Sequence, residues 1–282
     1  MSPAAREPAA HPVDRARLTQ HAPLAPPVHR YAAAERHTSL VRHYWVPVWD
    51  IPPGQCVTEQ VLQYPTCLVV VSDTYSRFYG VVPGRSQVEL SGQGWAVGVA
   101  LQPGAGMVMS GRTDLSDLLG THIDVETLPA MARVVTSVRA AMTPDPASPA
   151  SHARAIAVLE GELDALPAVS AEGREVTGWV SVVESDPEIR TVTELCELTG
   201  TSERRLQRVL RRYLGLTPKW LIQRRRLHEA TDRLKQGATN GGLAELAVEL
   251  GYTDQAHFTR DFHRVTGYTP GAFATTYGAS HL

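Results

Sequence analysis

The chain is predicted to be α+β and multidomain: a small β-barrel first, a helical linker next and an all-α domain last. Three observations predict it. Short β-branched and aromatic runs punctuated by Pro and Gly fill the stretch from about Tyr31 to Met109. Helical periodicity begins near Asp114, with Leu115, Leu118 and Leu119 on one side. The last third then repeats one pattern, helix, glycine, two residues, capped helix. A length of 282 residues suits two domains of ordinary size.

The strands are expected at Val46–Trp49, Cys67–Val71, Phe78–Val82 and Trp95–Leu101, with Pro52-Pro53-Gly54, Pro83-Gly84 and Gly92-Gln93-Gly94 between them. A parallel α/β arrangement would need helical patterns between those runs, and none is visible. Residues 1–27 hold Pro3, Pro8, Pro12, Pro23, Pro26 and Pro27 with no period, and are expected to form a disordered tail. The β-rich domain is placed at 28–125 and a helical linker or dimerisation segment at 126–173. Within the linker, Leu128, Met131, Val134, Val135 and Val138 form one stripe and Ile156, Leu159, Leu163 and Leu166 another. The all-helical domain takes 174–282.

Composition narrows the class. With 43% hydrophobic and 20% charged residues the chain reads as a globular protein free of membrane spans, since no run approaches the ~20 apolar residues that one needs. The first residues contain no continuous apolar core, so no secretory signal is read. Cys56, Cys67 and Cys196 have no metal-ligand spacing, and the odd count fits a reducing cytoplasm. A net charge of -2 argues against indiscriminate coating of nucleic acid. The charge is uneven, with 13 Lys+Arg against 17 Asp+Glu in residues 1–177 and 14 against 12 in 178–282.

The first of the repeated units runs from Thr191 to Leu214. Leu195 and Leu198 give its first helix an inward face, Gly200 is a C-cap and Ser202 an N-cap. At 100° per residue, Leu206, Val209, Leu210 and Tyr213 fall on one side of the next helix. Arg204, Gln207, Arg208 and Arg211 fall on the other, flanked by Arg205 and Arg212. Arginine can grip phosphates or take guanine O6 and N7 in a fork, and glutamine can do the same for adenine, so this face suits the major groove. A lone basic helix face is more often merely solvated; the second unit reverses that preference.

The second unit runs from Leu243 to Thr266. Leu243, Leu246, Ala247 and Leu250 point inward, Gly251 repeats the C-cap and Asp254 the N-cap. Phe258, Phe262 and Val265 form the buried stripe. Ala256, His257, Thr259, Arg260, His263 and Arg264 lie outward. Thr217-Pro218 opens a connecting helix to about Lys235, a rod of ~28 Å at ~1.5 Å per residue. Adjacent major-groove faces lie ~34 Å apart, so one chain has the reach to place both second helices in neighbouring grooves.

At this point the last third resembles the DNA-binding domain of the AraC/XylS family of bacterial transcription regulators. The residues that carry the resemblance are Leu195 through Gly200, Ser202, Leu206-Gln207-Arg208, Leu210, Gly215, Thr217-Pro218, Arg226-Leu227, Ala230, Ala244 and Leu246-Ala247. A final block adds Gly251-Tyr252, Asp254, Phe258, Arg260, Phe262 and Gly267-Tyr268-Thr269-Pro270. The resemblance implies base reading by Arg204, Gln207 and Arg208 in the first unit and by His257, Thr259 and Arg260 in the second. The wider DNA-binding set is Arg204, Arg205, Gln207, Arg208, Arg211, Arg212, His257, Thr259, Arg260, His263 and Arg264. This sequence departs from the family pattern at Gly241-Gly242, at His263 and at Ala274.

The resemblance also implies an N-terminal cupin-like barrel that binds an effector or mediates dimerisation, in accord with the short strands. The segments Arg42-His43-Tyr44-Trp45 and Gly98 through Ala105 resemble family members too. An effector pocket is expected to be lined by aromatics, with Tyr44, Trp45, Trp49, Tyr64, Phe78, Tyr79 and Trp95 as candidates, although large apolar residues chiefly fill cores. Double-stranded operator DNA is the implied partner; a small-molecule effector, a second copy of the chain and RNA polymerase are compatible with it. No catalytic residues, metal or cofactor are expected. His29, His37, His43 and His122 include no HxH pair, and neither GxSxG nor a phosphate-loop spacing occurs. Two alternatives stay open: a cupin-type enzyme fused to a DNA-binding domain, and a regulator whose first half only dimerises. Cys56 and Cys67 form a redox switch only if they meet; a buried structural thiol is the commoner state.

Overall fold

The computed structural model describes residues 16–18, 24–129, 131–237 and 242–278. Two-residue alternation in the first half yields strands β1 (Val28–Ala32), β2 (Val41–Asp50), β3 (Val57–Leu62), β4 (Leu68–Ser72), β5 (Ser76–Tyr79), β6 (Arg85–Leu90), β7 (Gln93–Leu101) and β8 (His122–Asp124). Among the described residues all strand pairings are antiparallel. Six strands make one sheet in the order β1-β2-β7-β4-β5-β8, and β3 pairs with β6 as a separate ribbon. The expected β-rich first domain is therefore present, but its barrel is not closed. The ribbon's ladder hydrogen bonds run between its own two strands, leaving it to cover the sheet and not to complete it.

Strand parity assigns the faces. Tyr44, Val46, Val69, Val71, Phe78, Val97 and Val99 point to one side and join the main hydrophobic cluster. Leu68, Val70, Ala96 and Ala100 point to the other, with Trp45, Tyr75 and Tyr79 packed against them. The first face is covered by α2 (Val134–Met142) and α3 (Pro149–Leu163), which follow the short α1 (Gly106–Ser110). Their apolar stripes, expected to serve a linker or dimer contact, are buried within this chain: Val134, Val138, Met142, Ala155 and Leu159 are all 1% exposed or less.

The helices α4 (Ala171–Ser185), α5 (Val192–Thr199), α6 (Glu203–Leu214), α7 (Pro218–Lys235), α8 (Gly242–Glu249), α9 (Gln255–Thr266) and α10 (Pro270–Tyr277) follow. One cluster runs from the sheet through α2–α6 to Leu221 and Ile222 of α7, across the boundary expected at 173. A second gathers Leu227, Ala230 and Leu234 of α7 with Leu246, Phe258, Phe262 and Phe273. Among the described residues no helix is long and apolar enough to cross a membrane.

Part of the segment expected to be a disordered tail is packed. Arg17 bridges to Val61, its guanidinium meets Glu59 at 2.7 Å, and Leu18 is 1% exposed within the second cluster beside Leu62. An ion pair and one apolar anchor hold three residues whose local composition carries no period. Residues 1–15 and 19–23 lie outside the described residues.

Candidate nucleic-acid interface and sensor cavity

The first helix-turn-helix unit is built by its caps. Thr191 accepts the Glu194 N–H while the Glu194 carboxylate accepts the N–H of Thr191, closing a capping box at the head of α5. Gly200 ends α5 with φ of 62°, in the left-handed region that favours glycine, and the chain turns into α6 behind Ser202. The second unit repeats the geometry: Gly251 has φ of 77°, and Asp254 caps α9 by accepting the His257 N–H at 2.7 Å. Leu206, Val209, Leu210 and Tyr213 bury one face of α6, and Phe258 and Phe262 one face of α9.

The opposite faces are open. Arg204, Gln207, Arg208 and Arg211 are exposed on α6, and the three arginines have no carboxylate partner among the described residues. Gln207 donates to Glu203 at 2.7 Å, an exposed contact that water or a base can replace. Two flanking arginines are committed elsewhere. Arg205 pairs with Glu175 of α4 at 2.5 Å and lies over Trp179; Arg212 pairs with Glu172 of α4 and lies over its neighbour Tyr213. On α9, His257, Arg260, His263 and Arg264 are exposed and Thr259 is half-buried. Arg264 meets Asp261 at 2.8 Å, and that carboxylate also accepts from Gln223 of α7.

The β-rich half touches both of these helices at their C-terminal ends. The Leu115 N–H donates to the Arg212 carbonyl at 2.8 Å, and Gly215, just past α6, lies against Leu119. Gly267, just past α9, lies against the Arg85 guanidinium, which also covers the Tyr268 ring. The N-terminal turns, which in helix-turn-helix complexes approach base edges, stay uncovered.

Between the sheet and the β3–β6 ribbon lies a cavity of about 280 Å³. Of the seven aromatics expected at an effector pocket, Trp45, Trp49, Tyr64 and Tyr79 line it. Tyr44, Phe78 and Trp95 do not; they are core residues on the other face, at 0%, 0% and 6% exposed. Burial pushes the Tyr44 phenol up, with Glu160 beside it adding to the shift. Tyr75 also lines the cavity and was not among the expected residues; it sits in the turn before β5, where no strand period points to it. Polar groups come from Arg30, Arg42, His43, Glu59 and Arg17. A second cleft, of about 540 Å³, shares Arg42 and Tyr64 with the first and opens toward α4 and α7.

Among the described residues no group of three or more His, Cys, Asp or Glu is arranged to hold a metal ion. Cys56 is a free, exposed thiol and Cys67 a free, buried one, and burial pushes the Cys67 thiol up to about 12. Cys196 is half-buried on α5.

Two family models match the chain, one in each half. Residues 195–276 match the family described as Helix-turn-helix domain, and residues 29–124 match one described as Domain of unknown function (DUF6597). The chain is similar to a probable AraC family transcriptional regulator from Rhodopseudomonas palustris, at 26% identity, 37% of this chain, 98% of that one and a TM-score of 0.34. It is similar to the C-terminal domain of AraT, a response regulator from Geobacillus stearothermophilus, at 23% identity, 40% and 93% coverage and a TM-score of 0.35. ToxT from Vibrio cholerae is similar over 84% of this chain and 98% of its own, at 11% identity and a TM-score of 0.42. No curated protein matches significantly. Residues 195–276, which hold nearly all of both repeated units, therefore belong to a helix-turn-helix domain.

Proposed function

We propose that this chain is a transcription regulator of the AraC type, that it reads one operator with both helix-turn-helix units and that its β-rich half senses a small molecule. Arg204, Gln207, Arg208 and Arg211 of α6, with His257, Thr259, Arg260, His263 and Arg264 of α9, make the DNA contacts. Arg205 and Arg212 hold α6 onto α4 and contribute to DNA binding through the field they add and not by touching bases.

The observation that carries the sensor reading is the aromatic cavity. Trp45, Trp49, Tyr64 and Tyr79 offer large flat apolar surfaces, and a few arginines and carboxylates supply orientation, which is how small-molecule sites are commonly lined. The cavity is also wired to the DNA-binding helices. Ala16 and Arg17 line it; the Arg17 carbonyl accepts from Lys235 at the end of α7, and Leu18 packs in the cluster of the second unit. An occupant that displaces Arg17 therefore changes what holds α7 and its neighbours.

The test pairs ligand and DNA binding. A metabolite panel is screened by thermal shift, and any stabilising compound is titrated against tryptophan fluorescence and operator affinity. The reading expects quenching, a changed affinity for DNA, and loss of both responses in Trp45→Ala, whose ligand-free DNA binding stays intact. A stabilising compound that acts equally on Trp45→Ala contradicts it.

A further inference from the structure

The apolar residues of α7 change partners partway along the helix. Leu221 and Ile222 belong to the cluster that holds α5 and α6, whereas Leu227, Ala230 and Leu234 belong to the cluster of α8, α9 and α10. The two helix-turn-helix units thus sit in separate hydrophobic clusters. At the crossing stand Gln223, Arg224, Arg225 and Arg226, all polar.

Each of the four reaches a different place. Gln223 donates to Asp261 of α9. Arg224 donates to the carbonyls of Pro83 and Gly84 in the β-rich half, and burial lowers its ionisation to about 9. Arg225 donates to the Ile189 carbonyl at 3.3 Å, ahead of α5. Among these four only Arg226 grips both units. Its Nη2 donates to the Arg190 carbonyl at 2.7 Å, beside the capping box of α5, and its Nη1 donates to the Gly251 carbonyl at 3.3 Å, in the turn of the second unit. The same guanidinium lies over the Tyr252 ring at 5.6 Å. A Cβ on Gly251 would stand 3.4 Å from that Nη2 and 3.3 Å from Arg190 Cδ, so the two segments meet closely at this point.

We infer that Arg226 sets the separation and angle of the two recognition helices, and through them the length of DNA tolerated between the two half-sites. Apolar packing is non-directional and leaves each unit some freedom to roll on α7. A planar guanidinium with donors fixed in a fork removes that freedom, because both carbonyls must stay in its plane. Arg226 is a positioning residue and touches no base. The inference rests on the reading that both units engage one operator.

The experiment uses the full chain and a set of operators in which the two half-sites are moved apart or together one base pair at a time, with a DNA carrying the first half-site only. Wild type is expected to bind best at one spacing and to weaken sharply on either side. Arg226→Ala is expected to bind about tenfold more weakly at that spacing, the worth of a charge-assisted hydrogen bond, to lose the sharp optimum, and to keep wild-type affinity for the single half-site. Arg226→Lys, whose ammonium has no fork, gives the same flattening with a smaller loss and carries the test if the alanine variant does not fold. Variants that keep the wild-type spacing profile, or that weaken on the single half-site in the same proportion, overturn the inference. A wild-type chain without any preferred spacing overturns the two-unit reading itself and this inference with it.

Discussion

The indole of Trp45 lies across Gly98, its registered partner on the neighbouring strand, so closely that a Cβ on Gly98 would stand 2.1 Å from the ring. Trp49 and Gly94 repeat the arrangement four residues along the same pair of strands, with a Cβ 2.4 Å from the ring. The glycines of β7 are thus the floor on which two cavity-lining tryptophans rest.

Gly98→Ala is expected to displace the Trp45 ring and destabilise the fold by about 1–3 kcal/mol, the range for overpacking a filled interior. Urea denaturation measures the loss. The same substitution made in Trp45→Ala should cost far less, because the clash is gone; an equal cost in both backgrounds would show that the strain lies elsewhere.

Arg208 and Arg205 are two of the five arginines on α6, yet they should behave differently. Arg208→Ala is expected to cost about 1–3 kcal/mol at one base position and to relax preference there. Arg205→Ala should leave base preference intact and lower the melting temperature slightly, since its partners are Glu175 and Trp179. Competition binding against operators varied one position at a time separates the two. A uniform loss on all sequences for Arg208→Ala would make it a phosphate contact.

His152 predicts a pH dependence. It lies buried on the face of α3 turned toward β1, with Nε2 2.7 Å from the Pro146 carbonyl and Nδ1 2.6 Å from the Tyr31 hydroxyl. A carbonyl only accepts, so Nε2 carries the proton and Nδ1 accepts from Tyr31. Burial lowers the ionisation of His152 below its ordinary value, with the nearby His29 adding to the shift against the opposing pull of Pro146 and Asp145. A histidine whose folded value is depressed contributes stability above its unfolded value near ~6.5 and loses it as pH falls through the window below. Denaturation at pH 7.5 and pH 5 should therefore show a larger acid loss for wild type than for His152→Gln. Identical losses would remove His152 from the account.

Much of this arrangement could be read from the residues. The caps Gly200, Gly251 and Asp254 and the stripes on α6 and α9 are local signals, set by backbone sterics and a helical period, and they placed both units. What escaped depends on distant partners. Arg205 and Arg212 look outward by helical angle, but long side chains reach around to Glu175 and Glu172 of α4. Leu18 sits in a tail without a period because its anchor is tertiary. The division of the aromatics was within reach: neighbours on a strand face opposite ways, so Tyr44 and Trp45 could not both line one cavity, nor Phe78 and Tyr79.

The central claim is that two similar basic helices on one rigid connector read a single stretch of duplex. Selection of bound DNA from a random pool with the full chain tests it most directly. Two conserved boxes should emerge with centres about one helical turn, ~10 base pairs, apart, and the box assigned to α9 should fade when Arg260→Ala is used in the selection. Enrichment of one box alone, unchanged by Arg260→Ala, would contradict the claim.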